Sequence, residues 1–310
     1  MRKDSVIAVD IGGSSIKTAI VDKNNNVSHK NIQDTGIDPL ATLKDLLENA
    51  FSETKCHISA IGIAAAGIID RKTGKILKSP NLNSLTGVDL KNVVQQWHNL
   101  PVAIENDANA AAYGEKIAGA GADKNDFILL TLGTGIGCGI VAGGRLLGSA
   151  AEAGHMKVSS NGSQCSCGDT GCLEAYASGW AMVNSAIKSI EGGTESIMKQ
   201  MHNGNFYKIT PEGIYEAALE GDSLARGVLR EAGRHLGIGI GSLINIFSPE
   251  AVILTGGLTG AWNIYVDVAI QEAGKRALRE LFAENIIIPS ALQGDAGIIG
   301  AACLAFDEIR

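Results

Sequence analysis

Four side chains of metal-binding type crowd one short stretch. EAGHMKVSSNGSQCSCGDTGCLE, residues 152–174, holds His155, Cys165, Cys167 and Cys172. Three thiolates and one imidazole complete a tetrahedral Zn2+ shell, so a metal held here is closed to water and structural. Gly162, Gly168 and Gly171 let so short a chain fold back around an ion. Glu152 and Glu174 bracket the cluster and are surplus to zinc; two carboxylates held rigidly beside a metal suit a polar ligand. Disulfides are the competing use of these cysteines. Cys165 and Cys167 are too close to pair comfortably with each other, though either can reach Cys172. The opening MRKDSVIAVDIGG reaches a strand at once and lacks the apolar core and cleavage site of a secretory signal. A cytoplasmic, reducing setting and a zinc site are therefore expected. Cys56, Cys138 and Cys303 lie far off and read as small core residues.

Glycine turns supply a second chemistry. IAVDIGGSSIKTAIVD (7–22) and ILLTLGTGIGCGIVAGG (128–144) share one pattern, a β-rich run, a glycine turn and a second β-rich run. They superpose with Asp10 on Thr131 and Gly12 on Gly133, and each reads as a β-hairpin with a glycine tip. Consecutive N–H groups in such a tip form an anion nest, and missing Cβ atoms let backbone approach phosphate. Neither common nucleotide motif fits. Gly62 and Gly67 have Walker A spacing, but Ile68 follows. Gly133, Gly135, Gly137 and Gly139 lead into a strand, where a dinucleotide fingerprint opens a helix. Asp10 and Lys17 flank the first tip, and an Asp there can order Mg2+ through water. A tight turn with a solvated Asp and a surface Lys is the plainer alternative. LTGGL (254–258) follows a strand and is a weaker candidate for an adenosine pocket.

A third candidate is VAIENDANAAAYGE, in which a buried run leads into Glu105-Asn106-Asp107 and then an Ala-rich helix. A carboxylate at the end of a parallel strand lies where α/β sheets place ligands. An Asp opening a helix can equally be no more than its N-cap. Both readings of Asp107 stand at this point.

The elements that must position these groups alternate along the chain. Helices are expected at 39–53, 90–97, 107–117, 176–190, 211–218, 222–247 and 263–282, and strands at 58–64, 101–104, 251–254 and 286–289, with a last helix from about Gly297. Alternation in both halves makes the class α/β, and the repeated hairpin predicts two related lobes. The Gly/Asp-rich segment 118–126 divides them. The expected lobes are 1–118, with the helix of about 297–310 a candidate to pack back on it, and 119–310, carrying the zinc loop 155–172. The 310 residues are 45 % hydrophobic and 19 % charged with net charge −7, which leaves ample core and no basic face for nucleic acid. The apolar runs are short and broken by glycine, so no membrane span is expected.

In this order, DIGGSSIK, ENDANAAAYGE, LGTGIGCGIVAGGRLLGSAAEAGH, CSCGDTGCLE and ILTGGL resemble the ROK family (repressor, open reading frame, kinase) of sugar kinases over nearly the whole chain. The resemblance implies the actin-like ATPase (ribonuclease H-like) fold, two α/β lobes with a cleft between them. It implies transfer of the γ-phosphoryl of ATP to a hexose, foremost glucose at its 6-hydroxyl, with Mg2+ assisting and Zn2+ structural. N-acetylmannosamine or N-acetylglucosamine is the alternative acceptor, and a sugar-responsive regulator without catalysis the rival class. By position, Asp107 matches the family's catalytic base, and Asn106, Glu152, His155 and Glu174 its sugar ligands, with Gly67 and Asn81 as further sugar contacts. Gly12, Gly13, Lys17, Gly133, Thr134 and Gly135 match phosphate-loop positions, and Gly256 and Gly257 the adenosine side. Ser14-Ser15 replaces the family's usual Thr and variable residue and keeps a hydroxyl. Repressor members carry an added N-terminal helix-turn-helix, so a chain opening on the first strand is expected to be a kinase that binds no nucleic acid. A homodimer is expected on the resemblance alone.

Overall fold

Polar turns and apolar runs divide the first part of the chain into β1 (Asp4–Ile11), β2 (Ser15–Asp22), β3 (Val27–Asp34), α1 (Pro39–Glu53), β4 (His57–Ala65), a small hairpin of β5 (Ile68–Asp70) and β6 (Lys75–Lys78), α2 (Leu90–His98), β7 (Val102–Asn106) and α3 (Asp107–Ala118). A second series follows: β8 (Phe127–Leu132), β9 (Ile136–Ala142), β10 (Arg145–Leu146), α4 (Glu174–Ala177), α5 (Gly179–Glu191), α6 (Pro211–Leu219), α7 (Ser223–Phe247), β11 (Ala251–Thr255), α8 (Asp267–Arg276), β12 (Ile287–Pro289) and α9 (Ala296–Glu308). The structure, a computed structural model, describes residues 4–79, 82–148, 151–283 and 285–310. Asn81, expected to touch sugar, lies outside the described residues.

Two five-stranded sheets have the same plan. One is ordered β3-β2-β1-β4-β7 and the other β10-β9-β8-β11-β12. In the first, β1 pairs antiparallel with β2 and parallel with β4, which pairs parallel with β7. The repeat read from the two glycine-tipped hairpins is thus a repeat of sheet order. Closeness of the backbone in space divides the chain into two units, Met1–Leu129 with Gly139–Ala151 and Ser290–Arg310, and Leu130–Cys138 with Glu152–Pro289.

In the first unit, β1 is covered on both faces. Ile7, Val9 and Ile11 join Leu43, Leu46 and Leu47 of α1. The alternate residues Val6 and Ala8 join Ala110 of α3 and Ile298, Ala301 and Ala305 of α9. This two-residue period sends one strand into two cores. The α9 side is built of small residues, and Gly300 sits where a Cβ would lie 1.7 Å from the Ala110 carbonyl oxygen. Only glycine permits that approach of α9 to α3. Asp38 caps α1 by accepting from the N–H of Leu40 and Ala41, with Pro39 at the first helical position.

In the second unit, α7 packs along α8, and the buried Tyr265 hydroxyl donates to the Ala177 carbonyl at 2.7 Å. The helix expected over 263–282 is shorter. A π-turn, Trp262–Val266, leads into α8, which ends at Arg276. Asn245 of α7 explains the stop: its amide donates to the Arg276 carbonyl and its carbonyl accepts from Leu278 N–H, replacing the bonds a further turn would make. Two other elements carried no periodic signal. β3 is mostly exposed, VSHKNIQD on the sheet edge, and β5–β6 is too short to show alternation. Among the described residues no helix is long and apolar enough to cross a membrane.

Candidate functional site

The first unit gathers Asp10, Gly12, Gly13, Lys17, Gly67, Asn106 and Asp107 at one edge of its sheet. Asp10 and Lys17 are cross-strand partners in β1 and β2, and their charges lie 3.7 Å apart. Burial of the Asp10 carboxyl raises its pKa against the opposing pull of the Lys17 ammonium. Gly12 N–H closes the tip on the Ser15 carbonyl at 2.9 Å. The carbonyl of Ile11, at the end of β1, accepts from Ala66 N–H, just past β4. Gly67 follows with φ +132°, and a Cβ there would meet the Lys78 carbonyl oxygen at 2.4 Å. No other residue fits this turn.

Asn106 joins this edge to α3. Its side-chain amide donates to the Gly67 carbonyl at 3.0 Å and to Asp107 Oδ1 at 3.0 Å. Its Oδ1 accepts from Asn109 N–H, so Asn106 is the N-cap of α3. Asp107 is the first helical residue, and its Oδ1 also accepts from Ala108 N–H at 3.0 Å. The capping role that Asp107 could have filled belongs to its neighbour.

Beneath them lies Glu105, 3 % exposed, whose Oε2 is 2.6 Å from Arg71 Nε. Its Oε1 accepts from Asn106 N–H and from the Asn109 amide. Neither Arg71 nor Glu105 was singled out in the sequence. Glu105 stood inside a quoted motif, and a lone Glu running into a polar pair gives no sign that it is buried. Arg71 gave no signal at all.

The second unit gathers the remaining residues. The tip between β8 and β9 closes with Gly133 N–H on the Gly135 carbonyl at 3.0 Å. Gly256 follows β11 at φ +99°, and a Cβ there would meet the Leu132 carbonyl oxygen at 2.3 Å. The structure thus sets Gly256 against the residue preceding Gly133. Gly257 is exposed with open space at its Cβ position.

The ligating atoms of His155, Cys165, Cys167 and Cys172 all lie within 4.8 Å of one another. His155 Nδ1 is 3.6 Å from Cys165 Sγ, and the Cys167 and Cys172 sulfurs are 3.8 Å apart. Edges of a tetrahedron with Zn–S and Zn–N bonds of ordinary length are roughly 3.6–3.8 Å. The four residues therefore fit one ion, and every cysteine among them is a free thiol. Cys138 is a buried thiol, as expected, its pKa pushed up to about 12 chiefly by burial. Cys56 differs from its expected core position; it is exposed in the polar turn between α1 and β4.

Three further side chains brace the loop. Lys157 Nζ lies 3.2 Å from Cys172 Sγ and 2.5 Å from Asp169 Oδ2. Tyr176 accepts Ser163 N–H on its hydroxyl at 2.8 Å and stacks on His235 at 4.2 Å. Ser166 donates to Glu174 Oε1 at 3.1 Å, and Glu174 Oε2 accepts from Ile136 N–H at 2.9 Å. Glu152 is exposed at the start of the turn that carries His155.

Two five-stranded sheets of matching order, each with a glycine-tipped hairpin, belong to the actin-like ATPase fold shared with the structural neighbours. The ROK family model matches residues 6–308, so the chain belongs to the ROK family. It is 35 % identical to a glucokinase of Streptomyces coelicolor, over 96 % of either chain. It is 34 % identical to a xylose repressor of Caldicellulosiruptor bescii, over 87 % of this chain and 69 % of that one. The crystal structure of a ROK family glucokinase from Streptomyces griseus, in complex with glucose and AMPPNP, superposes with TM-score 0.87 at 35 % identity, covering 98 % of this chain and 99 % of that one.

Proposed function

We propose that this chain is an ATP-dependent hexose kinase that transfers the γ-phosphoryl group to the 6-hydroxyl of glucose. The observation that supports this most is the Asp107 carboxylate. It stands at the C-terminal end of parallel β7, and its Oδ1 is fixed by Asn106 and Ala108. The full-length likeness to glucokinases adds the substrate class.

In this reading Asp107 orients the acceptor hydroxyl and takes its proton. A carboxylate serves as the base because the proton leaves late, as the phosphoryl arrives. Phosphoryl transfer asks for positioning and charge neutralisation rather than covalent help. The N–H groups of the tips at Gly12–Gly13 and Gly133–Gly135 take phosphate oxygens, with Thr134 and Lys17 beside them. Gly256 and Gly257 take the adenosine side. Asp10 would hold Mg2+ through water, and the ion would supply positive charge to the phosphates. Asn106, Gly67, Glu152, His155 and Glu174 hold sugar hydroxyls. His155, Cys165, Cys167 and Cys172 would hold Zn2+, which supplies rigidity to the loop.

The test is a coupled ADP-release assay across glucose, N-acetylmannosamine, N-acetylglucosamine, mannose and fructose, with and without chelator. Asp107→Asn should keep the fold and lose turnover by orders of magnitude; near-normal turnover would refute the assignment. Preference for an N-acetylhexosamine would move the acceptor without moving the mechanism. The likeness to a xylose repressor favours a second reading, a sugar-responsive regulator. Sugar binding with no ADP release for any acceptor would select it. A homodimer belongs to the first reading, and light scattering tests it.

A further inference from the structure

Glu174 does not stand only beside the metal-type cluster. One of its oxygens, Oε2, accepts the Ile136 N–H at 2.9 Å, at the first residue of β9 and directly after the Gly133–Gly135 tip. The other, Oε1, accepts from Ser166 of the cysteine loop at 3.1 Å. Gly135 lies so close that a Cβ there would fall 2.5 Å from Oε2. The same tip meets the turn carrying His155, where a Cβ on Gly154 would lie 2.3 Å from the Ile136 carbonyl oxygen. Behind it, the Gly133 carbonyl accepts Gly179 N–H from the start of α5 at 2.9 Å. Ile136 is thus gripped on its N–H by Glu174 and crowded on its carbonyl by Gly154. A tip made of glycines has many backbone conformations open to it, and these contacts select one.

We propose that Glu174 is a two-sided positioning residue. Its carboxylate holds the phosphate-side tip in shape through Ile136 while presenting its other edge to the sugar, so occupancy at either substrate favours binding at the other. This rests on the kinase reading for the identity of the two ligands. The physical requirement is a shared element whose geometry both ligands bias. Here that element is one carboxylate bonded to the tip and to the loop, within a single unit of the fold. A Glu174 that served the sugar alone would have no reason to sit within reach of the Ile136 N–H, nor Gly135 to lack a side chain facing it.

The experiment crosses each substitution with the other ligand in the full chain. Glu174→Asp shortens the side chain by one methylene, so it cannot span both contacts. Binding of AMPPNP with Mg2+, measured without sugar by calorimetry, should weaken by about fivefold or more. Gly135→Ala should weaken glucose binding, measured without nucleotide, by a similar factor. Glucose should tighten AMPPNP binding in the unsubstituted chain, and both variants should reduce that effect. Melting temperature and bound zinc close to those of the unsubstituted chain show that the loop is intact. If Gly135→Ala fails to fold, AMPPNP binding by Glu174→Asp decides alone. Unchanged AMPPNP affinity in Glu174→Asp, with glucose affinity lost, would overturn the proposal while leaving the kinase reading in place. No binding of either ligand by the unsubstituted chain would overturn both.

Discussion

The buried carboxylates of the first unit have different partners, and the partners decide what each contributes. Asp10 is largely buried beside a single, half-exposed Lys17, and its pKa is raised. A raised carboxyl pKa favours the folded state while the group is protonated. That contribution is complete below the ordinary value of 3.8 and fades as pH climbs through the folded value. Asp10→Asn should therefore raise the melting temperature at neutral pH and flatten its decline above pH 4, while Mg2+-nucleotide affinity falls; thermal scans across pH check the sign. Glu105, by contrast, is fully engaged by Arg71, Asn106 and Asn109. Arg71→Met strands its charge, at a cost of about 2 kcal/mol, less than for a wholly buried pair because Arg71 is 41 % exposed. Denaturant titration measures the loss. At this scale the sequence was readable where chemistry is local. His155 and the three cysteines needed only their spacing to be seen as one cluster. Glu105 as a buried support depends on Arg71 from a distant part of the chain, and no spacing encodes that.

Elements were legible in proportion to their burial pattern. α1 spans Pro39–Glu53, the range expected from its one-sided apolar spacing, and buries Leu43, Leu46, Leu47 and Ala50. β3 escaped because an edge strand facing water has no apolar alternation to show. The overlong expectation for α8 failed for a tertiary reason, the Asn245 side chain that ends it. The packing of α9 on α3 is the most demanding contact between elements of the first unit. Gly300→Ala would place a methyl 1.7 Å from the Ala110 carbonyl oxygen, so the helices must part. A cost of about 3 kcal/mol is expected, read as a lowered unfolding midpoint, whereas Gly257→Ala, with open space around it, should be near neutral.

Across the whole molecule, the duplicated sheet order was foreshadowed by two hairpins and the last helix was a candidate to pack on the first lobe, whereas the division of β8 and β9 between the units was not foreshadowed. The backbone leaves the first unit after Leu129, returns for Gly139–Ala151, and returns again at Ser290. No propensity signal marks the crossings after Leu129 and before Gly139, because strands β8 and β9 run on unbroken through them. The metal-type loop lies wholly within the second unit. Chelation should release one zinc per chain, weaken glucose binding, and strip hydrogen-exchange protection from amides near 156–173 alone. Amides of β1 and β4 should keep theirs, and their simultaneous loss would show that the metal stabilises more than its own loop.

The placement of α9 has a consequence for biosynthesis. Val6 and Ala8 of β1 and Ala60 and Ala64 of β4 are covered by Ile298, Ala301 and Ala305, yet α9 is the last of these elements to leave a ribosome. Until Ala296–Glu308 emerges, that apolar face of β1 and β4 in a nascent chain has only α3 to cover it. Strands translated early are thus completed by a helix translated much later, and a stalled chain lacking α9 is a substrate for chaperones rather than a finished lobe.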